Sequence, residues 1–279
     1  MLDVLLNYPI IDPVFFSIPV PVIGPLPIRW YALAYIGGMI GGLFYARALV
    51  QRQGLWGSTP HPSVMSLDDL LVYVALGTIV GGRLGNVLFY SPGYYFAHPL
   101  DIFKLWEGGM AFHGGLIGVM IGIYLFARRE KVSILSVMDL CATVAPIGLF
   151  FGRLANFIRP ELWGRPTDVP WAMVFPGVDA QPRHPSQLYE AGLEGLVLLV
   201  ILALLARNGA FRRPGLLMGW FGILYGLARI FTEFFREPDA VTEALAHGLT
   251  MGMVLSAPLI MIGGVFVVRA YRSSGAQTY

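Results

Sequence analysis

VAPIGLFFGRLANFI, residues 144–158, sets one arginine inside a run that is otherwise apolar. Two further stretches do the same: LLVYVALGTIVGGRLGNVLFY (70–90) carries Arg83, and LLMGWFGILYGLARIFTEFF (216–235) carries Arg229. An arginine within a membrane span costs about 2.5–3.5 kcal/mol even on the lenient insertion scale. Its guanidinium stays charged, so it must find an anion, a water-filled cavity or carbonyl oxygens.

Composition places these stretches in a membrane protein. Of the 279 residues, 56% are hydrophobic and 13% charged, where a soluble chain is nearer a quarter charged. Mean hydropathy is +0.65. A bilayer crossing needs about 17–25 residues. Seven segments are long and apolar enough: 28–49, 70–90, 111–127, 134–158, 188–206, 216–235 and 249–268. The expected fold is an all-α polytopic membrane protein of about seven transmembrane helices, a single integral membrane domain over 1–279 with external segments at 1–27 and 159–187.

The Lys/Arg bias orients it. Ten cations fall on one side (Arg47, Arg52, Arg128, Arg129, Lys131, Arg207, Arg212, Arg213, Arg269, Arg272) and six on the other (Arg29, Lys104, Arg159, Arg165, Arg183, Arg236). The richer side is expected to be cytoplasmic, with the N-terminus outside and the C-terminus inside. Arg83, Arg153 and Arg229 then lie about 8–11 Å below the outer interface at 1.5 Å per residue, just beneath outer-leaflet phosphates. One reading makes them a site for an anion approaching from that face. The alternative is that each snorkels or ties helices together through carbonyl groups.

Other polar residues gather toward the same face. His113 opens the third span beside Gly114 and Gly115, and a histidine titrating near neutrality is a candidate base. Tyr31 opens the first span after Trp30, a pattern also ordinary for an aromatic belt. Arg153 and Asn156 share a helix face at i,i+3, as do Arg83 and Asn86, so GRLGNVLF echoes GRLANFIR. Arg229 and Glu233 stand at i,i+4 and can pair, as a salt bridge or as part of a site. Asp139 and Glu194 fall in spans without an assigned role.

The connection 159–187 holds prolines at 160, 166, 170, 176, 182 and 185 together with Trp163, Trp171, Met173 and Phe175. No long helix fits it. It is expected to lie on the bilayer or cover a site. With DPVFFSIPVPVIGPLPI from the N-terminal segment, which reads as extended strand or loop, it forms a small external head. No basic region precedes an apolar core there, so the segment does not read as a signal peptide.

The sequence excludes several chemistries. It has no phosphate-binding P-loop, no GxSxG elbow and no Gly-rich dinucleotide turn. Its five histidines lack metal-ligand spacing, no basic run interleaved with aromatics suggests nucleic acid, and the single cysteine, Cys141, sits in an apolar span. A transporter would carry polar residues along the whole path and on the cytoplasmic half as well. An intramembrane protease would need a placed Ser–His or Asp pair.

Seven blocks, in order along nearly the whole chain, resemble the phosphatidylglycerol–prolipoprotein diacylglyceryl transferase family. They are DPVFFSI (12–18), RWYALAY (29–35), GGRLG (81–85), FHGGLIG (112–118), GRLANFIRPELWGR (152–165), RHPSQLYE (183–190) and FFREPD (234–239). Arg159–Pro160 departs from the Asn-Gly common in that family, and the external loop is short. The resemblance implies transfer of the diacylglyceryl group of phosphatidylglycerol, a membrane lipid, to the lipobox cysteine of a prolipoprotein signal peptide. The product is a thioether, and glycerol 1-phosphate leaves. No metal or other cofactor is implied, and no nucleic acid. The bacterial cytoplasmic (inner) membrane is the implied location, with the site toward the outer leaflet. Arg153 is implied to bind the headgroup and act in catalysis with Arg229 and His113. Tyr31, Asn156, Glu161, Gly164 and Glu233 support the site, and Arg83 joins the substrate-binding set.

Overall fold

The structure, a computed structural model, describes residues 6, 8–20, 24–238 and 249–275. Asp239, which ends the FFREPD block, and most of 1–7 lie outside them. Seven long helices dominate: α1 Trp30–Gln51, α2 Leu67–Tyr90, α3 Phe112–Glu130, α4 Ile134–Ile158, α5 Ser186–Arg207, α6 Leu216–Glu233 and α7 Met251–Gly275. All seven expected segments are therefore helical. Five of them, α1, α2, α4, α5 and α7, are long and apolar enough to cross a membrane. The other two hold charge inside the helix, Arg128 to Glu130 in α3 and Arg229 with Glu233 in α6.

The chain is not purely helical. Within DPVFFSIPVPVIGPLPI, β1 Val14–Val20 pairs antiparallel with β2 Gly24–Arg29. Each strand of a two-stranded ribbon is an edge, so prolines that cannot donate to a ladder are tolerated, and Pro19 faces Pro25. Phe15, Phe16, Ile18 and Leu26 stay exposed on it.

Close packing rather than apolar burial joins helices that share a lipid solvent. Helices α2 and α3 meet through small residues. A Cβ added at Gly85 would sit 2.9 Å from the Gly114 Cα, so even alanine would force the backbones apart. The flanks present Phe44, Leu76, Ile117, Met261 and Val265 outward, each more than half exposed, which suits a hydrocarbon environment.

Two apolar clusters mark opposite ends. At the cation-rich end Trp56, Phe126, Leu140, Leu202, Phe211 and Leu217 are buried together, with the Trp56 and Phe211 rings stacked at 4.1 Å. Asp139 belongs here. Its carboxylate accepts from Gly215 N at 2.7 Å and Met218 N at 2.8 Å, satisfying orphan donors at the start of α6. At the other end Tyr8, Phe157 and Phe175 pack with Trp163, Met173, Val178 and Leu188. Tyr8 Oη donates to Phe157 O at 2.5 Å, and Leu6 bridges Met173. The N-terminal segment and the 159–187 connection thus form the expected head, with β3 Met173–Val174 against β4 Pro182–Arg183 and no long helix.

Candidate functional site

Arg153, near the head end of α4, points at two carboxylates on α5. Its Nη1 lies 3.1 Å from Glu190 Oε2, and its Nη2 lies 2.9 Å from Glu194 Oε2. Arg229 reaches the same pair from α6: 2.5 Å to Glu190 Oε1 and 3.9 Å to Glu194 Oε1. It also pairs closely with Glu233, one helical turn on. A third guanidinium, Arg236, stands 3.7 Å from Glu190 and 3.9 Å from Glu233. The sequence gives reason to pair Arg229 with Glu233. It does not reveal that Arg153 and Arg229 share carboxylates contributed by a third helix.

The local backbone of α5 favours this convergence. The helix widens to a π-helical stretch over Ala191–Val197, a distortion common at functional sites. Glu190 lies at its edge and Glu194 inside it, and both are fully buried. Two carboxylates one turn apart would repel if unpaired; three arginines stabilise them. Removing one member of a buried ion pair typically costs about 3–5 kcal/mol, because the other charge is left uncompensated. The cage is not saturated. Glu190 Oε2 and Glu194 Oε1 accept no aligned hydrogen bond, although ion-pair contacts reach both.

Aromatic hydroxyls surround the cluster. Tyr225 on α6 is within electrostatic reach of Arg153, Arg229, Glu190 and Glu194. Tyr35 on α1 is within reach of Arg153 and Glu161, and Tyr31 Oη lies 3.4 Å from Tyr35 Oη. Tyr31 therefore meets the site through Tyr35.

The motif residues after α4 build a wall beside the arginines. Glu161 N donates to Asn156 O at 3.0 Å, and Asn156 Nδ2 reaches Glu161 Oε2 at 3.4 Å. Glu161 also pairs with Arg159 at 3.0 Å. Leu162 adopts φ +58°, which disfavours a residue with a Cβ. The start of α5 holds that turn: Gln187 Nε2 donates to Glu161 O at 2.7 Å and Ser186 Oγ to Leu162 O at 2.9 Å. Gly164 then threads between two strands of backbone, donating to His184 O at 3.0 Å and bridging Arg236. A Cβ at Gly164 would stand 2.6 Å from both His184 Cβ and Phe235 O. Gly164 is thus what lets the chain carrying Arg236 lie close to the wall.

Arg183 locks the outer side of the wall. It donates to Gly164 O at 3.0 Å and pairs with Asp179 at 2.6 Å and Glu237 at 3.0 Å. The hydrogen bond from Arg183 holds the Asp179 carboxyl below the usual carboxylate range. His184, half-buried against the Phe235 and Tyr189 rings, has its pKa lowered by burial.

Two expected site residues sit apart. Arg83 spends its donors on backbone: Ile102 O at 2.8 Å, Asp101 O and Gly108 O at 2.5 Å each, Lys104 O at 3.2 Å and Gly109 O at 3.4 Å. Its guanidinium also lies over the Tyr95 ring, 5.1 Å from the centroid. This is the carbonyl-tying alternative, realised on the loop between α2 and α3. His113, exposed at the start of α3, meets the Phe112 ring edge-on at 5.6 Å. Among the described residues no ion pair or hydrogen bond links His113 to the arginine cluster. An apolar groove of about 710 Å³ runs along the α2–α3 seam, lined by Leu76, Val80, Leu84 and Ile117. Its lining includes Gly114, the neighbour of His113.

Glu190, Glu194, Tyr225, Tyr35 and Arg236 escaped assignment from the sequence. A signal existed for the first two, because carboxylates within a span mark function by default.

Apolar helices, a small head and a cluster of paired arginines and glutamates beneath it point to a multi-pass membrane protein. Comparison with known proteins gives the family. A sequence model of prolipoprotein diacylglyceryl transferase matches residues 17–269. The phosphatidylglycerol–prolipoprotein diacylglyceryl transferase of Methylocella silvestris is 60% identical over 95% of this chain and 96% of its own. That of Rhodospirillum rubrum is 56% identical over 96% and 95%, and that of Nitrobacter winogradskyi 54% identical over 98% and 94%. The chain belongs to the prolipoprotein diacylglyceryl transferase family.

Proposed function

We infer that this chain transfers the diacylglyceryl group of phosphatidylglycerol to the lipobox cysteine of a prolipoprotein, the first step of lipoprotein maturation. Family membership supports the activity, and the observation that supports the site is the convergence of Arg153 and Arg229 on shared carboxylates. The substrate thiolate attacks the glyceryl carbon next to the phosphate. A C–S bond forms, the C–O bond breaks, and its electron pair leaves on the phosphate of glycerol 1-phosphate. The nucleophile belongs to the substrate, so the enzyme needs none. Charge grows on the phosphate as the bond breaks, and guanidinium groups already in place stabilise that state more than the bound lipid. Arg153 and Arg229 hold the phosphate, with Glu233 fixing Arg229. Asn156, Glu161 and Gly164 shape the wall, and Tyr31 orders the α1 side through Tyr35. His113 takes the thiol proton, which at a pKa of about 8.5 needs a base or a positive field to leave. Arg83 contributes by holding the 101–109 loop.

The protein spans the bacterial cytoplasmic membrane seven times as one domain, N-terminus outside, with 1–27 and 159–187 external and the site toward the outer leaflet. The cation bias supports this orientation. So does the head, which packs at the end of α4 that carries Arg153. Incubating purified protein with phosphatidylglycerol vesicles and a lipobox peptide tests the reading by mass spectrometry. A diacylglyceryl adduct on the cysteine is expected; its absence with folded protein would overturn it.

A further inference from the structure

Glu190 is the hub of the cluster. Its buried carboxylate lies 2.5 Å from Arg229, 3.1 Å from Arg153 and 3.7 Å from Arg236. A phosphate held by Arg153 and Arg229 must sit beside Glu190, whose carboxylate takes a hydrogen bond from Arg229 and an ion-pair contact from Arg153. Glu194 engages Arg153 at 2.9 Å and Arg229 only at 3.9 Å. Glu233 engages Arg229 and Arg236. Neither bridges all three cations. Glu190 also has a fallback: Arg236 stays beside it when the other two turn to a ligand.

We propose that Glu190 is a resident competitor for the phosphate, which keeps the arginines from trapping the product. The inference rests on the reading of Arg153 and Arg229 as the phosphate site. The lipid substrate is a phosphodiester with one negative charge. The product is a monoester, whose second ionisation near pH 6 leaves it with about −1.5 to −2 at pH 7. Arginines alone would hold the product more tightly than the substrate, and its release would limit turnover. The repulsion from a neighbouring carboxylate scales with ligand charge, so Glu190 acts more strongly against the product than against the lipid. Its unaligned oxygen, Oε2, fits a carboxylate whose partners must be exchanged in every cycle.

The test is steady-state kinetics in phosphatidylglycerol vesicles with glycerol 1-phosphate as the added inhibitor. Glu190→Gln keeps the shape and removes the charge. It is expected to lower the inhibition constant for glycerol 1-phosphate at least about tenfold, to lower KM for the lipid by a smaller factor, and to lower kcat. A carboxylate serving only to hold the fold would give the reverse, a raised KM and weaker inhibition, and that result overturns the proposal. Unchanged inhibition overturns it too. If Glu190→Gln does not accumulate, Glu190→Asp carries the test. Its charge is drawn back by one methylene, so inhibition should tighten about threefold, and unchanged or weaker inhibition counts against the proposal. Arg229→Lys separates the two claims. If it weakens inhibition while Glu190→Gln does not strengthen it, the phosphate site stands and the role of Glu190 falls. If neither variant alters inhibition, the phosphate site itself is wrong.

Discussion

Arg83 and Arg153 stand in nearly the same local sequence, GRLGNVLF against GRLANFIR, and the structure uses them in opposite ways. Arg83 ends among backbone carbonyls of the loop it braces. Arg153 ends among the carboxylates of Glu190 and Glu194. The difference lies in what the neighbouring element presents. Over α2 lies a connection of short helical turns, Pro92–Ala97, Pro99–Phe103 and Leu105–Glu107, whose end carbonyls face Arg83; over α4 lies a helix carrying two acids. A carbonyl cage fixes a cation permanently, because backbone dipoles have no other role to play. In the proposed function the carboxylate cage is exchanged for a lipid phosphate, with Arg236 left beside Glu190. The same residue in an apolar span is thus a brace in one place and, in the other, part of the charge cluster proposed as the site.

The largest effect that can break this contrast belongs to Arg153→Lys. Lysine keeps the charge but loses the planar fork that grips a phosphate in two places. At equal membrane abundance, turnover is expected to fall by at least about 100-fold, the scale of removing one positioned donor to a developing oxyanion. Turnover within a few fold of wild type would show that Arg153 holds only its glutamates.

Arg83→Lys should cost less activity and more order. A charge-assisted hydrogen bond is worth about 1.5–3 kcal/mol, and an ammonium with three donors cannot serve five carbonyls. The 98–110 loop should become susceptible to limited proteolysis, while turnover of the intact fraction stays within about tenfold. An intact loop with turnover lost would move Arg83 into the chemistry.

Asp139→Ala sharpens the same contrast at the opposite end of the helices. Asp139 is a buried charge whose partners are the first amides of α6. Its loss should destabilise by about 2 kcal/mol, the upper range for a helix cap, read as a lower thermal midpoint in detergent. Specific activity of the folded protein should be unchanged. A selective loss of activity would mean that the cation-rich end takes part in the reaction.

The sequence makes the helices legible because span length and apolarity are local properties. The segment expected at 134–158 is the helix Ile134–Ile158. The pairing of Arg229 with Glu233 is legible because a single helix sets the i,i+4 geometry. Glu190 and Glu194 are not, because which helix faces Arg153 is decided by packing between α4, α5 and α6. Tyr35 and Tyr225 are hidden for the same reason; each reads as one more aromatic in a span. For Arg83 the sequence leaves anion and carbonyl partners equally open, and the choice depends on how the 101–109 loop folds back. Strands β1 and β2 are legible as extended chain but not as a pair, because their prolines mask the alternation that marks a ribbon.

Retention of the lipid tests the central claim most directly. Native mass spectrometry from mild detergent should find phosphatidylglycerol bound to the wild-type protein and to Arg83→Lys. The lipid should be lost from Arg153→Lys and Arg229→Lys at the same collision energy. Lipid stripped from Arg83→Lys but kept by both of the other variants would contradict the assignment of the phosphate to the carboxylate-caged arginines.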